Sequence, residues 1–133
     1  MKTGLDTSIV VRLLSGEPRE SAAAALRFLL RLKADGGQAV ISDLVAAESY
    51  YALHHHYGVS KADALAALGK LFAAEGVECV GEAADVLGTP SLASADPGFV
   101  DRIIYQQYLR AGVNEVITLE KAAKKLSRMR LLG

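Results

Sequence analysis

Four carboxylates stand in this sequence where they could do chemistry. Asp6 closes the apolar opening Gly4-Leu5 and is followed by Thr7-Ser8 and the apolar run Ile9-Val10-Val11. Glu120 closes a second apolar stretch, Val116-Ile117-Thr118-Leu119. Both segments read as strand, acid, helix. Parallel strands end on one side of a sheet, where open α/β folds hold their ligands, so neighbouring strands would set Asp6 and Glu120 on one edge. Taken alone, Asp6 reads first as a helix N-cap, because Asp is a favoured capping residue. The other acids shift that balance.

Glu48 falls among Leu44, Val45, Tyr51 and Ala52, three or four positions from each. Residues so spaced share a helix face. A carboxylate therefore stands within a stripe expected to face the core, where an unpartnered charge is costly. It either reaches a cation or sits at the rim of the stripe and extends to water. Asp101 flanks the stripe Val100, Ile103 and Ile104 of a later helix. Asp96, just before Pro97, is explained by a capping role. Acids from four segments gathered on one edge would repel one another, and a divalent cation removes that penalty. Oxygen ligands without Cys or His point to Mg²⁺ or Mn²⁺, and such sites suit phosphoryl chemistry. On this reading Asp6 is the central ligand, and the cap falls to Thr7 or Ser8.

The elements that must position these acids alternate between strand and helix, the pattern of an α/β fold with a parallel sheet. Strands are expected at residues 2–6, 38–41, 77–80 and 116–118. Helices are expected at 7–14, from Glu17-Pro18 to 34, at 43–57 after a Ser42 cap, and at 61–74 after a Ser60 cap. A turn or two is expected at 82–87, then a helix opened by Asp96-Pro97 and running to 111, and a short basic helix over 121–128. Residues 129–132 read as a last short strand or a tail. No repeat or linker divides the 133 residues, so residues 1–133 are expected to form one domain.

Composition narrows the function classes. Hydrophobic residues make up 51 % of the chain, enough for a sizeable core. No apolar run approaches the roughly 18 residues of a membrane span, and the N-terminus does not read as a signal peptide. Cys79 is the single cysteine, which precludes an internal disulfide. These features fit a cytoplasmic protein without a membrane partner. Fifteen basic and 15 acidic residues balance, so nucleic acid would be held locally or with the help of metal ions rather than by bulk charge.

The segment from Leu5 to Leu14, Leu-Asp-Thr-Ser-Ile-Val-Val-Arg-Leu-Leu, resembles the opening motif of PIN domains, closest to the VapC toxins of bacterial and archaeal toxin–antitoxin pairs. Ile41 to Glu48 is similar to their second motif, Phe99 to Ile104 to the third, and Val116 to Lys121 to the fourth. The four occur in family order across nearly the whole chain. The resemblance implies a three-layer α/β/α sandwich on a mostly parallel sheet. It also implies a Mg²⁺- or Mn²⁺-dependent endoribonuclease that hydrolyses RNA with a metal-activated water. Asp6, Glu48 and Asp101 would be its metal ligands, with Glu120 as the fourth acid. Thr7 or Ser8 and Thr118 would steady them by hydrogen bonds. A homodimer and an inhibitory VapB-type antitoxin are implied as well. Two departures stand out: Glu120 occupies a position where Asp is usual, and Leu119 one where an aromatic is usual. Residues 88–97, with two prolines, replace what is often a longer helix.

Arg12 and Arg102 flank the acids as candidate phosphate contacts or as structural ion-pair partners. Lys121, Lys124, Lys125, Arg128 and Arg130 give the last segment a basic side, suited to RNA phosphate, to an acidic antitoxin tail, or simply to solvent. His54-His55-His56 point about 100° apart on a helix and cannot converge on one ion. The tyrosines, including Tyr50, Tyr51, Tyr105 and Tyr108, could stack bases but read more simply as packing residues. The alternative to a toxin nuclease is a catalytically weak PIN domain that binds RNA or protein. It is motivated by the neutral charge and by Glu120. A phosphate-binding domain of another kind lacks the Gly-rich loop it would need.

Overall fold

A computed structural model describes residues 1–132, apart from the side chain of Lys124. The chain runs β1 (Lys2–Gly4), α1 (Thr7–Ser15), α2 (Arg19–Ala34), β2 (Gln38–Ser42), α3 (Asp43–His55), α4 (Lys61–Ala73), β3 (Val77–Val80), α5 (Ala83–Leu87), α6 (Phe99–Arg110), β4 (Val116–Thr118) and β5 (Met129–Leu131). Short 3₁₀ turns lie at Leu92–Ser94 and Lys121–Lys125. The strands β1, β2 and β3 form a parallel sheet in that order. Parallel neighbours need a crossover. Here α1 and α2 supply the first and α3 and α4 the second, so the fold is mixed α/β with a parallel sheet, consistent with an α/β/α arrangement.

The register sets the site. Gly4 lies opposite Val40, and the Leu5 amide donates to the Val40 carbonyl at 2.9 Å. Continuing that register brings Asp6 level with Ser42, where β2 gives way to α3. Both chain reversals therefore open on one sheet edge. Ile41, Leu53, Leu68 and Val10 are wholly buried beneath it.

Several expectations are corrected. Strand β4 pairs with β5, not with β1, in a separate two-stranded parallel sheet (Val116 opposite Met129, Thr118 opposite Leu131). The chain past Leu126 closes on β4 and fills its hydrogen bonds, Val116 N–H donating to the Arg128 carbonyl at 2.8 Å. Asp6 itself is the N-cap of α1: its backbone is extended and its Oδ1 accepts from the Thr7 amide at 2.8 Å. Thr7 is already helical and Ser8 follows it, so neither caps. Helix α6 starts at Phe99 with Gly98 as N-cap, two residues later than Asp96-Pro97 suggested. The Pro97 carbonyl is taken by the Arg102 side chain at 2.7 Å instead. The basic helix at 121–128 shortens to the 3₁₀ turn Lys121–Lys125. Finally, the buried face of α3 is Asp43, Ala46, Ser49, Tyr50 and Leu53, while Leu44, Glu48 and Tyr51 are exposed. Apolar residues run nearly all round this helix. The face that turns inward carries both small and large residues, with Ala46, Ser49 and Leu53 wholly buried on it.

Candidate active site

Two pairs of acids form, each built by a different part of the fold. In the first, α1 lies along α3, and the Thr7 hydroxyl donates to Glu48 Oε1 at 2.9 Å. That bond joins residues far apart in sequence and sets Glu48 beside the start of α1, where Asp6 caps the helix. Asp6 spends one carboxylate oxygen on the Thr7 amide. Asp6 and Glu48 are both exposed. Glu48 is thus at the rim rather than in the core. Ser8 is exposed and takes no part in the contact.

In the second pair, Asp101 in the first turn of α6 and Glu120 after β4 line one cavity of about 250 Å³, together with Tyr108, Ile117 and Thr118. Thr118 Oγ1 accepts from the Glu120 amide at 3.0 Å and fixes the chain where the acid leaves the strand. Asp101 also lines a larger cavity of about 580 Å³ against α3. Among the described residues, no three His, Cys, Asp or Glu side chains lie close enough together to hold a metal ion. The structure therefore brings Asp6 to Glu48 and Asp101 to Glu120, without closing the four into one cluster.

The two arginines have structural partners. Arg12 Nε donates to Ser21 Oγ at 3.2 Å and ties α1 to α2. Arg102 donates to the Pro97 carbonyl and lines, with Asp85, Tyr105 and Leu126, a cavity that Asp101 does not line. Of the basic C-terminal residues, Arg130 pairs with Glu115 at 3.1 Å, and Lys121 and Lys125 are exposed. The Lys124 side chain lies outside the described residues. A family model for the PIN domain matches residues 5–129.

This chain belongs to the PIN-domain family. PIN domains are generally nucleases that act on nucleic acids, and they typically use divalent metal ions. No curated protein and no solved structure matches the chain significantly. No helix among the described residues is long and apolar enough to cross a membrane.

Two features of this PIN domain escaped the sequence. Asp43, only 6 % exposed, accepts from the Glu82 and Ala83 amides at 2.9 and 2.7 Å and from Gln107 Nε2 at 2.7 Å. It binds the end of β3 and α6 to the start of α3. A Cβ on Gly81 would collide with the Asp43 carboxylate, and φ there is +123°, so the position requires glycine. The second feature is the ring cluster of Tyr50, Tyr51, His54, His55 and Phe99 beside Asp101. Burial, with the neighbouring Tyr51 second, raises the Tyr50 pKa above the usual phenol value, so it stays a neutral donor at physiological pH. A sequence signal for the cluster did exist: Tyr50, His54 and Tyr51, His55 are two i,i+4 pairs.

Proposed function

We propose that this PIN domain is a cytoplasmic Mg²⁺- or Mn²⁺-dependent endoribonuclease, the toxin half of a VapBC-type pair. It would act as a homodimer restrained by a VapB-type antitoxin. The observation that carries the reading is the Thr7–Glu48 hydrogen bond, which couples the first motif to the second at the sheet edge.

The donor set suits the metal. Asp6, Glu48, Asp101 and Glu120 offer only hard carboxylate oxygens, the ligands Mg²⁺ and Mn²⁺ prefer. An ion held there would supply an acidified water and offset phosphodiester charge. The chain's own residues do the positioning. Thr7 holds Glu48 in one orientation, and the α1 cap fixes the Asp6 carboxylate at the edge. Thr118 sets the backbone at Glu120. The cavity shared by Asp101 and Glu120 leaves room beside both acids for a substrate phosphate.

Purified protein is expected to cut RNA with Mg²⁺ or Mn²⁺, and Asp6→Asn to abolish the cut, read by mapping new RNA 5′ ends. Equal cleavage by both proteins defeats the assignment. A second reading is a PIN domain that binds RNA or protein without efficient cleavage, supported by Glu120 standing where Asp is usual and by the fact that no three metal-ligating side chains cluster among the described residues. Titration calorimetry separates them: the nuclease binds Mn²⁺ in the free state, whereas the binding module does not.

A further inference from the structure

Asp101 and Glu120 line one cavity but belong to separate parts of the chain. Asp101 stands in the first turn of α6. Glu120 stands on the loop between β4 and β5, which those two strands close on itself. The Val116 amide donates to the Arg128 carbonyl, and the Leu132 amide to the Thr118 carbonyl, both at 2.8 Å. Within the loop, the Ala123 amide donates to the Glu120 carbonyl, the Leu126 amide to the Ala123 carbonyl and the Met129 amide to the Leu126 carbonyl, at 3.0 to 3.1 Å. Successive main-chain turns thus tie the place of Glu120 to the place of Ser127 and Arg128.

One side chain bolts that loop to α6. Tyr105, 5 % exposed, follows Asp101 by four positions and so lies on its side of the helix. The Tyr105 hydroxyl accepts from the Arg128 amide at 3.2 Å, which leaves its own proton for Ser127 Oγ at 3.3 Å. Its donor and an acceptor site are both in use. Among the described residues, these are the only hydrogen bonds between the helices and residues 116–132, since Arg130 pairs with neighbouring Glu115. Apolar contact has no direction and lets a loop slide along a helix. Two hydrogen bonds to successive residues are directional and fix one position.

We propose that Tyr105 is a positioning residue for RNA cleavage: its hydroxyl holds the loop that carries Glu120 against the helix that carries Asp101, and so sets the opening between the two acids. The inference rests on the RNA-cleaving reading and adds a residue to its machinery. Tyr105 is buried and does not line the cavity of the two acids, so it acts through Glu120 and not on substrate. Small misplacements far from the chemistry are costly, because the reacting groups must meet within a fraction of an ångström. Phenylalanine at this position would fill the same space and leave the loop without its fixed point.

The test is a double-mutant cycle of Tyr105→Phe and Glu120→Gln, read by RNA cleavage and by hydrogen exchange. Tyr105→Phe keeps the ring, and circular dichroism should show it folded. Its kcat is expected to fall about tenfold while KM for RNA stays within about twofold. In the Glu120→Gln background the same substitution should have no further effect, because groups that act through one another are not additive. Exchange of the amides over residues 116–128 should quicken at least about fivefold in Tyr105→Phe and hold elsewhere. Ser127→Ala, which removes one of the two bonds, should shift kcat and exchange in the same direction by less. Full kcat in Tyr105→Phe, or an equal loss with and without Glu120, overturns the proposal. So does a Glu120→Gln protein that cuts like wild type, which leaves the nuclease reading standing on Asp6. If wild type does not cut RNA, both fall.

Discussion

Helix α3 carries a carboxylate at its first residue, Asp43, and another about one and a half turns on, Glu48. Asp43 is buried and accepts from two backbone amides and one side-chain amide. Glu48 is exposed and receives one hydroxyl, from Thr7. The buried acid has its bonding capacity met by the fold. The exposed acid keeps capacity for something the fold does not provide. A carboxylate that joins secondary elements is recognised by how completely it is satisfied. One kept for a ligand is recognised by what is left over, and Asp6, with one oxygen in its cap and the rest free, is of the second kind.

The largest effect expected from this contrast is on stability. Asp43→Ala leaves the Glu82 and Ala83 amides and Gln107 without their acceptor. Each of the two buried amides left unpaired costs about 1–3 kcal/mol, so the loss should total about 2–6 kcal/mol in denaturant unfolding, the exposed Gln107 adding little. Gly81→Ala should be destabilising for the same reason, since its Cβ and the carboxylate claim one space. Glu48→Ala, by contrast, should change stability by less than about 0.5 kcal/mol, as exposed substitutions usually do. Equal destabilisation by the two acids would dissolve the comparison.

The contrast also marks how far the sequence could be read. Local signals held up well. Ser42 and Ser60 were expected as caps, and their hydroxyls accept from the Val45 and Asp63 amides at 3.3 and 3.1 Å. The strands at 38 and 77 fell where expected, each a short run bounded by glycine or a cap, whereas the first strand, expected over 2–6, ends at Gly4 because Asp6 caps the helix that follows. What failed was long-range. Nothing near Asp43 reveals that its partners lie at 82, 83 and 107. Nothing in Val116-Ile117-Thr118 tells that it will pair with Met129–Leu131 rather than with the first strand. The stripe on α3 misled because its apolar residues do not choose a face. The buried side carries Asp43 and Ser49 beside Tyr50 and Leu53, a mix that a hydropathy stripe does not single out. Among the four candidate acids, the sequence matched Asp6 with Glu120 at neighbouring strand ends, whereas the structure sets Glu48 against Thr7 and puts Glu120 on a cavity with Asp101.

Next in size is Asp6→Asn. Asn caps helices as well as Asp does, so the Thr7 amide keeps its acceptor and stability should hold within a few tenths of a kcal/mol. RNA cleavage should nevertheless fall about 100-fold or more, as for the loss of a group acting in the transition state. Asp6→Ala should lose the same activity and also about 1 kcal/mol of stability with the cap. Thermal melts and single-turnover cleavage on the three proteins separate the two roles of one side chain. If Asp6→Asn cuts normally while Asp6→Ala is unstable, Asp6 is a cap and nothing more.

A smaller loss is expected at Thr7. Thr7→Val keeps the shape and removes the hydroxyl that orients Glu48. Glu48 stays exposed and can still reach its place, so cleavage should drop about tenfold, at the low end of the roughly 1.5–3 kcal/mol of one hydrogen bond to a charged group. Thr7→Ser restores the donor and should recover most of it. A Thr7→Val protein as active as wild type would mean that the hydrogen bond does not organise the edge.

The smallest effect uses Cys79 as an internal reporter of the buried side. Burial, and then the charge of nearby Asp43, raise its thiol pKa above the ordinary value. The folded state therefore prefers the neutral thiol. Below the ordinary thiol pKa this costs nothing. As pH climbs past it, the unfolded chain ionises first, and stability declines with rising pH until the folded thiol ionises too. Alkylation by iodoacetamide follows the thiolate, so its rate profile in the folded protein should lie at higher pH than that of a free thiol. Asp43→Asn, which removes the charge and keeps one acceptor, should bring the profile part of the way back. Asp6→Asn, on the open edge, should leave it where it is. A response to Asp6 as large as the response to Asp43 would show that the two acids share one environment, and the distinction between a satisfied carboxylate and an available one would no longer hold for this fold.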